Sequence, residues 1–405
     1  MKSEELRRLV GLMGLVGLIW LVTGCSNEEE PAMIQTEVPV GEVSSLATYF
    51  NEYVAETRAW TPPTGYGAYE GDAQSIGIAF TQDGKDPIKG TFYKSGDKWH
   101  LKYPSDKNED AIDEGTYYLY GYVPNTSGVD LTVTDLDGNK TNYSKGAKVV
   151  LANVPTVMSK DLCVVIGAKH GFDQDHDGDY TDENDNKTYD EGVDTRTNRL
   201  QRGDFAYTAK RISKESGAGN YVFLLFDHLY AALRISMKVH EDYAKLRTIK
   251  LKSLQLSTQA SGTTSYDHQD ITIKLTANNP GANPITGDIT YEPTGKTIGD
   301  EGLSFWSSST GEELKTSYQA FSGHFMPIGI STLVLTSVYD VYDTKNNRIR
   351  EGCKATNTMK LSDLWTGHTT TRCGNRYTVK MTVQPTYLYV LSEPDLDSPT
   401  VTVSN

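Results

Sequence analysis

The sequence predicts an all-β fold arranged as two β-sandwiches, and three observations predict it. Tyr occurs 25 times against 10 Phe, and Tyr beside Thr in alternating runs suits a pleated surface with one wet face. Short alternating runs recur at close intervals, separated by Asp-Gly, Asn and Pro turns drawn from 36 Gly and 15 Pro. The 405 residues suit roughly two domains, and no repeat at a solenoid period interrupts the pattern.

The chain starts with Lys2, Arg7 and Arg8, followed by the apolar run GLMGLVGLIWLV. That is a charged n-region and an h-region too short to span a bilayer well. The run LVTGC then resembles the bacterial lipobox, so residues 1–24 are expected to be a lipoprotein signal peptide and Cys25 the lipidated residue. Several acyl chains on one Cys anchor a protein stably to a membrane. Ser26, Asn27 and the acidic run Glu28–Glu30 come next, which resembles the tag that sends Bacteroidetes lipoproteins to the outer cell surface. Residues 25–58 therefore read as a tether.

Elements follow in order. Leu46, Tyr49, Phe50, Tyr53 and Val54 fall at helical spacing, which fits an amphipathic helix or a distorted strand. Pro62, Pro63, Gly65 and Gly67 mark a loop. SIGIAF (75–80) alternates. GTFYKSGDKWHLKY (90–103) reads as a hairpin turning at Ser95-Gly96-Asp97. GTYYLYGYVP (115–124) is an aromatic strand closed by Pro124, and VDLTVTDLDG (129–138) stops at Asp137-Gly138. KVVLANVP and DLCVVIGAK add two strands, and Cys163 in the latter reads as a small buried hydrophobe. A polar insertion runs from Gly171 to about Asn220. YVFLLFDHLYAALRISMKV (221–239) is too long for one strand and is expected to divide or kink near Asp227-His228. KLRTIKLKSLQLS, DITIKLTA, SYQAFSGHFMPI, STLVLTSVYDVYD, a strand carrying Cys353, and NRYTVKMTVQP follow, before two short alternating runs in TYLYVLSEPDLDSPTVTVSN. The expected sandwiches are residues 59–212, holding the insertion, and 213–405, ending in the tail.

Composition and motifs narrow the function. A net charge of −14 argues against nucleic acid and anionic lipid surfaces as partners. No HExxH, GxSxG elbow or CxxC pair occurs, so an enzyme is not expected. Gly295-Lys296-Thr297 imitates the end of a phosphate loop, but Thr290 stands where the first Gly belongs, and a β-turn is expected there. His228 and His324 in apolar runs read as satisfied core histidines. With Cys25 lipidated, Cys353 and Cys373 could pair as a disulfide in an oxidising compartment.

The sharpest local signal is FDQDHDGDYTDENDN. Asp173, Asp175 and Asp177 at alternate positions, with Gly178 next, match the opening of a DxDxDG calcium loop. Asp179 stands at position seven. Position twelve is Asn184 in place of the bidentate Glu, with Asp182 or Glu183 as substitutes. Calcium would neutralise this carboxylate cluster and rigidify the inserted loop; without it the segment is a solvated acidic loop.

ETRAW, YYLYGYVPN, KDLCVVIGA and FLLFDHLYAALRISMKV, in that order behind the lipobox, resemble the fimbrillin family of Bacteroidales, close to its minor-fimbria-like branch. The resemblance implies two Greek-key, transthyretin-like sandwiches and a lipoprotein-derived pilus (fimbrium) subunit at the outer membrane surface, with other pilus subunits as partners and adhesion as its role. It implies proteolytic processing between Arg58 and Ala59, removing a propeptide strand, and strand addition by a neighbour's C-terminal segment. Donor candidates are Tyr387, Tyr389 and Leu391, then Val401 and Val403, which share faces by period two; they could equally form an edge hairpin on their own domain. The competing expectation is a surface glycan-binding lipoprotein of a nutrient-uptake system, with Trp60, Trp99, Trp306 or Trp365 stacking on sugars.

Overall fold

The computed structural model describes residues 35–40, 42–48, 51–54, 66–69, 73–104, 112, 115–172, 202–209, 220–259, 266–277, 284–287, 289–298, 302–326, 329–364, 367 and 369–383. Their architecture is all-β. The described chain opens with β1 (Gln35–Val40), β2 (Glu42–Thr48), β3 (Asn51–Val54) and β4 (Tyr66–Ala68). Next come β5 (Ser75–Thr81), β6 (Ile88–Ser95), β7 (Lys98–Pro104), β8 (Gly115–Val123), β9 (Asp130–Asp135), β10 (Gly146–Pro155), β11 (Cys163–Phe172) and β12 (Ala206–Ala209). The second half supplies β13 (Asn220–His228), β14 (Ala231–Val239), a single helical turn α1 (Glu241–Ala244), β15 (Thr248–Gln259), β16 (Tyr266–Thr276), β17 (Thr290–Thr297) and β18 (Leu303–Glu313). It ends with β19 (Gln319–Met326), β20 (Thr332–Tyr342), β21 (Arg348–Lys360), the turn α2 (Leu361–Leu364) and β22 (Asn375–Val383).

Four sheets result. A ten-stranded sheet runs β1-β7-β6-β5-β8-β11-β13-β2-β4, with β12 also on β8. Three four-stranded sheets run β17-β16-β10-β9, β19-β14-β22-β3 and β18-β15-β20-β21. Central strands are buried on both faces, as their unbroken apolar runs require: Ile76, Ile78, Ala79 and Phe80 of β5 are at most 1% exposed. β5 and β8 approach so closely that a Cβ on Gly121 would lie 2.2 Å from the Gly77 carbonyl oxygen, so glycine is obligatory there. The β6–β7 hairpin turns where expected, with Ser95 opposite Lys98 and Gly96 at φ +62°.

Several tyrosines share one device: the ring enters the core and the hydroxyl finds a backbone carbonyl. Tyr120 donates to Tyr143 O at 2.7 Å, Tyr230 to Pro155 O at 2.7 Å and Tyr69 to Asp161 O at 2.5 Å. Tyr122 donates to Asn125 Oδ1 at 2.8 Å, and burial pushes its phenol up to about 12.

Two hydrophobic cores form, each fed by two sheets. The first gathers β2, β5 to β11 and β13, together with Ile271, Ile273 and Leu275 of β16. The second gathers β14, β15, β18 to β20 and β22. β13 belongs to the first core, and the chain passes to the second core at Tyr230–Ala231. The β16–β17 hairpin then returns, because Ile271 and Ile273 pair with Leu151 and Val149 of β10. The 221–239 run does divide, two residues past His228.

Candidate functional site

The segment upstream of Arg58 adds strands to two sheets. β1 lies antiparallel to β7, from Gln35 opposite Pro104 to Val40 opposite Trp99. β2 lies parallel to β13, from Glu42 beside Tyr221 to Ala47 beside Phe226, with β4 on its other side. β3 lies parallel to β22 at the edge of its sheet, from Asn51 beside Asn375 to Val54 beside Thr378. The helical spacing noted at Leu46–Val54 thus gives way to strands, because Val43, Ser45 and Ala47 share a face by period two and meet the apolar run of β13. Val43 and Ala47 are 4% and 5% exposed.

The fit of β2 is incomplete. A cleft of about 290 Å³ beside it is lined by Val43, Ser45, Tyr69, Ala73, Lys94 and Trp99. Among the described residues neither the buried Ser45 hydroxyl nor the buried Trp99 Nε1 has a hydrogen-bond partner. Each such orphan costs about 1–3 kcal/mol. β2 therefore occupies its groove with a polar mismatch.

Several sequence expectations lie outside the described residues: Cys25, the Arg58–Ala59 cleavage, the acidic residues Asp173, Asp175, Asp177, Asp179, Asp182 and Glu183, the donor candidates Tyr387, Tyr389, Leu391, Val401 and Val403, and Trp60 and Trp365. Two expectations on described residues are corrected. Cys353 and Cys373 are free thiols, because Cys353 lies in β21 opposite Tyr339 while Cys373 packs against the first core. Gly295-Lys296-Thr297 belongs to strand β17, where the Lys296 N–H donates to Asp267 Oδ1 at 2.7 Å. The indole of Trp99 is only 4% exposed and offers no open face to a sugar, while half-buried Trp306 stands edge-on to Phe321 at 4.9 Å.

A second constellation was not singled out as a site in the sequence. Cys163 and His228 face each other directly across β11 and β13, and Asp161 precedes β11 by two residues. His228 Nδ1 lies 2.7 Å from Asp161 Oδ2 and 3.5 Å from Cys163 Sγ. Asp161 is 4%, Cys163 0% and His228 3% exposed. Both contacts use one ring nitrogen, so the imidazole does not relay a proton between thiol and carboxylate as a catalytic triad does. Burial and then the Asp161 charge push the Cys163 thiol well up, the reverse of an activated nucleophile. Only the spacing of DLC and the FDH triplet hinted at this meeting, which spans 67 residues of sequence.

No protein-family model matches the sequence, and no curated protein does. Solved structures do show similarity. A candidate cell adhesion protein from Bacteroides uniformis is 11% identical, covering 86% of this chain and 92% of that chain, with a TM-score of 0.33. A candidate cell adhesion protein from Bacteroides fragilis is 10% identical, covering 85% and 93%, with a TM-score of 0.33. The fimbrial anchor protein Mfa2 from Porphyromonas gingivalis is 10% identical, covering 85% and 90%, with a TM-score of 0.20. Sequence and superposition agree only weakly.

Proposed function

We propose that this chain is a structural subunit of a surface pilus, anchored at the outer membrane through Cys25 and assembled by strand exchange for adhesion. One observation carries the reading: a stretch upstream of Arg58 supplies β1 and β3 to the edges of two sheets and lays β2 between β13 and the three-residue β4. Cutting between Arg58 and Ala59 converts β1 to β3 from covalent parts into bound peptides. Their loss leaves main-chain groups of β7, β13 and β22 unpaired, which is the template that strand addition uses. A neighbour's tail, with Tyr387, Tyr389 and Leu391 on one run and Val401 and Val403 on the next, supplies two alternating segments for the positions beside β13 and β22. The unpartnered Ser45 hydroxyl and Trp99 Nε1 favour replacement, since an incoming strand with a better-matched side chain recovers what β2 leaves unsatisfied. In this reading the acidic loop binds calcium and stiffens the insertion.

The test is treatment of the purified chain with an Arg-specific protease. Loss of the segment ending at Arg58 and a ladder of polymers stable on a gel are expected. Removing residues 384–405 should leave the cut and abolish the ladder. A monomer after complete cutting, or a ladder unchanged in Arg58→Ala, sinks the proposal.

A further inference from the structure

We propose that Asp161, Cys163 and His228 form a buried site for one zinc-like divalent cation at the crossing between the two cores. Their ligand atoms, a carboxylate oxygen, a thiol sulfur and an imidazole nitrogen, all lie within 4.8 Å of one another. Around a tetrahedral ion with metal–sulfur bonds of ~2.3 Å and metal–nitrogen bonds of ~2.0 Å, sulfur and nitrogen stand ~3.5 Å apart. That is the separation of Cys163 Sγ and His228 Nδ1. The 2.7 Å contact between Asp161 Oδ2 and His228 Nδ1 is a hydrogen bond. It opens by roughly half an ångström when the carboxylate turns from the ring to an ion.

A second observation points the same way. Asp161 Oδ1 is buried with no partner among the described residues. A dry, unpaired carboxylate oxygen is costly, and a cation is the group that would answer it. The donors are also preset by backbone. Cys163 and His228 are register partners across β11 and β13. The Leu229 N–H donates to Leu162 O at 2.8 Å, and the Tyr69 hydroxyl holds the Asp161 carbonyl at 2.5 Å. One sulfur, one nitrogen and one carboxylate oxygen select a borderline metal over calcium or magnesium, which take oxygen alone. The site is therefore chemically distinct from the acidic loop.

Its place gives it a structural role. The site sits just before the crossing at Tyr230–Ala231, and a Cβ built on Gly374, in the turn before β22, would lie 3.8 Å from the His228 ring. The Gly374 N–H donates to Tyr230 O at 3.3 Å. An ion there ties β11 and β13 together where the first core meets the turn leading into β22. With all three residues at most 4% exposed, the ion enters as the chain folds.

The experiment unfolds the chain in denaturant containing a chelator, removes the chelator, and refolds the chain with cobalt(II), with zinc(II), with calcium, or without metal. After desalting, the cobalt sample is expected to retain about one ion per chain, with the near-ultraviolet thiolate-to-cobalt band of a sulfur ligand. Cys163→Ser and His228→Gln should lose the band, while Cys353→Ser and Cys373→Ser keep it. Calcium held by the acidic loop gives no such band. Should the Cys163 and His228 variants fail to fold, the wild-type chain still decides: refolded with zinc it must melt higher than without. No retained cobalt, a band that survives Cys163→Ser, or identical melting with and without zinc overturns the proposal.

Discussion

Replacing Val43 by Ala probes whether β2 opens as a unit separate from the cores. Val43 is 4% exposed and stands beside Val222 of β13. The change removes two buried methyl groups at ~0.8 kcal/mol each, about 1.6 kcal/mol in all. Since ~1.4 kcal/mol is tenfold in an equilibrium, the population with β2 detached should rise roughly fifteen-fold. Native-state hydrogen exchange read by mass spectrometry follows this directly. Peptides from Glu42–Thr48, and β13 amides that face β2, should exchange faster by about that factor. Peptides from β15 and β20, which belong to the other core, should not change. Equal acceleration in β15 and β20 would mean that β2 leaves only when the whole molecule unfolds, and strand exchange at that edge would lose its physical basis. An unchanged β2 peptide would mean that Val43 is not held in the core.

Other perturbations read other parts of the fold. The Asp135 carboxylate accepts backbone N–H groups from Asn139, Thr141 and Asn142 at 2.7, 2.7 and 3.1 Å. Burial raises its pKa, but those donors outweigh burial and hold it below the usual carboxylate range. Its contribution is therefore complete above the unfolded value and is lost as pH falls through the lowered folded value; Asp135→Asn should cost ~2 kcal/mol at neutral pH in urea denaturation and flatten the acid limb. Tyr230→Phe keeps the ring but strips the Pro155 carbonyl and the Gln269 amide of partners at 2.7 and 2.8 Å, and should lower stability by ~2 kcal/mol or more in the same assay. Calorimetry at millimolar calcium should show binding that Asp175→Asn together with Asp177→Asn weakens; no heat beyond the buffer blank removes calcium from the acidic loop.

How legible the molecule is from sequence depends on where each strand finds its partner. The β6–β7 hairpin is local, and its turn residues announce it. The tyrosine-rich β8 announces itself too, because a ring in the core with a hydroxyl on a carbonyl needs only its own alternation. β17 and β18 escape notice because both are largely exposed, so neither carries an apolar period. The N-terminal strands mislead for another reason: Leu46, Tyr49, Phe50, Tyr53 and Val54 suit a helix locally, and distant β13 and β22 overrule that preference. The same distance hides the Asp161–Cys163–His228 cluster, whose parts look like ordinary core residues until β11 and β13 pair. Cys353 and Cys373 suggest a bond by their number alone, while the fold sets Cys353 on β21 opposite Tyr339 and packs Cys373 against the first core.

The parallel pairing of β2 and β3 bears on why this segment can be exchanged. Parallel neighbours cannot close through a tight hairpin; each contact waits for a strand far along the chain. β2 needs β13 and β3 needs β22, so the strands they lie beside belong to the second half of the sequence. Neither segment nucleates the sheet that receives it. β13 already has β11 on its other side, and β22 has β14. Each sheet thus keeps its other strands paired without its N-terminal strand, save the three-residue β4, and the loss falls on the hydrogen bonds to β13, β4 and β22 and on Val43 and Ala47. A strand that joins a finished sheet, with Ser45 and Trp99 left unsatisfied beside it, can be taken away without unmaking the sheet. A strand lying between β11 and β8 could not be.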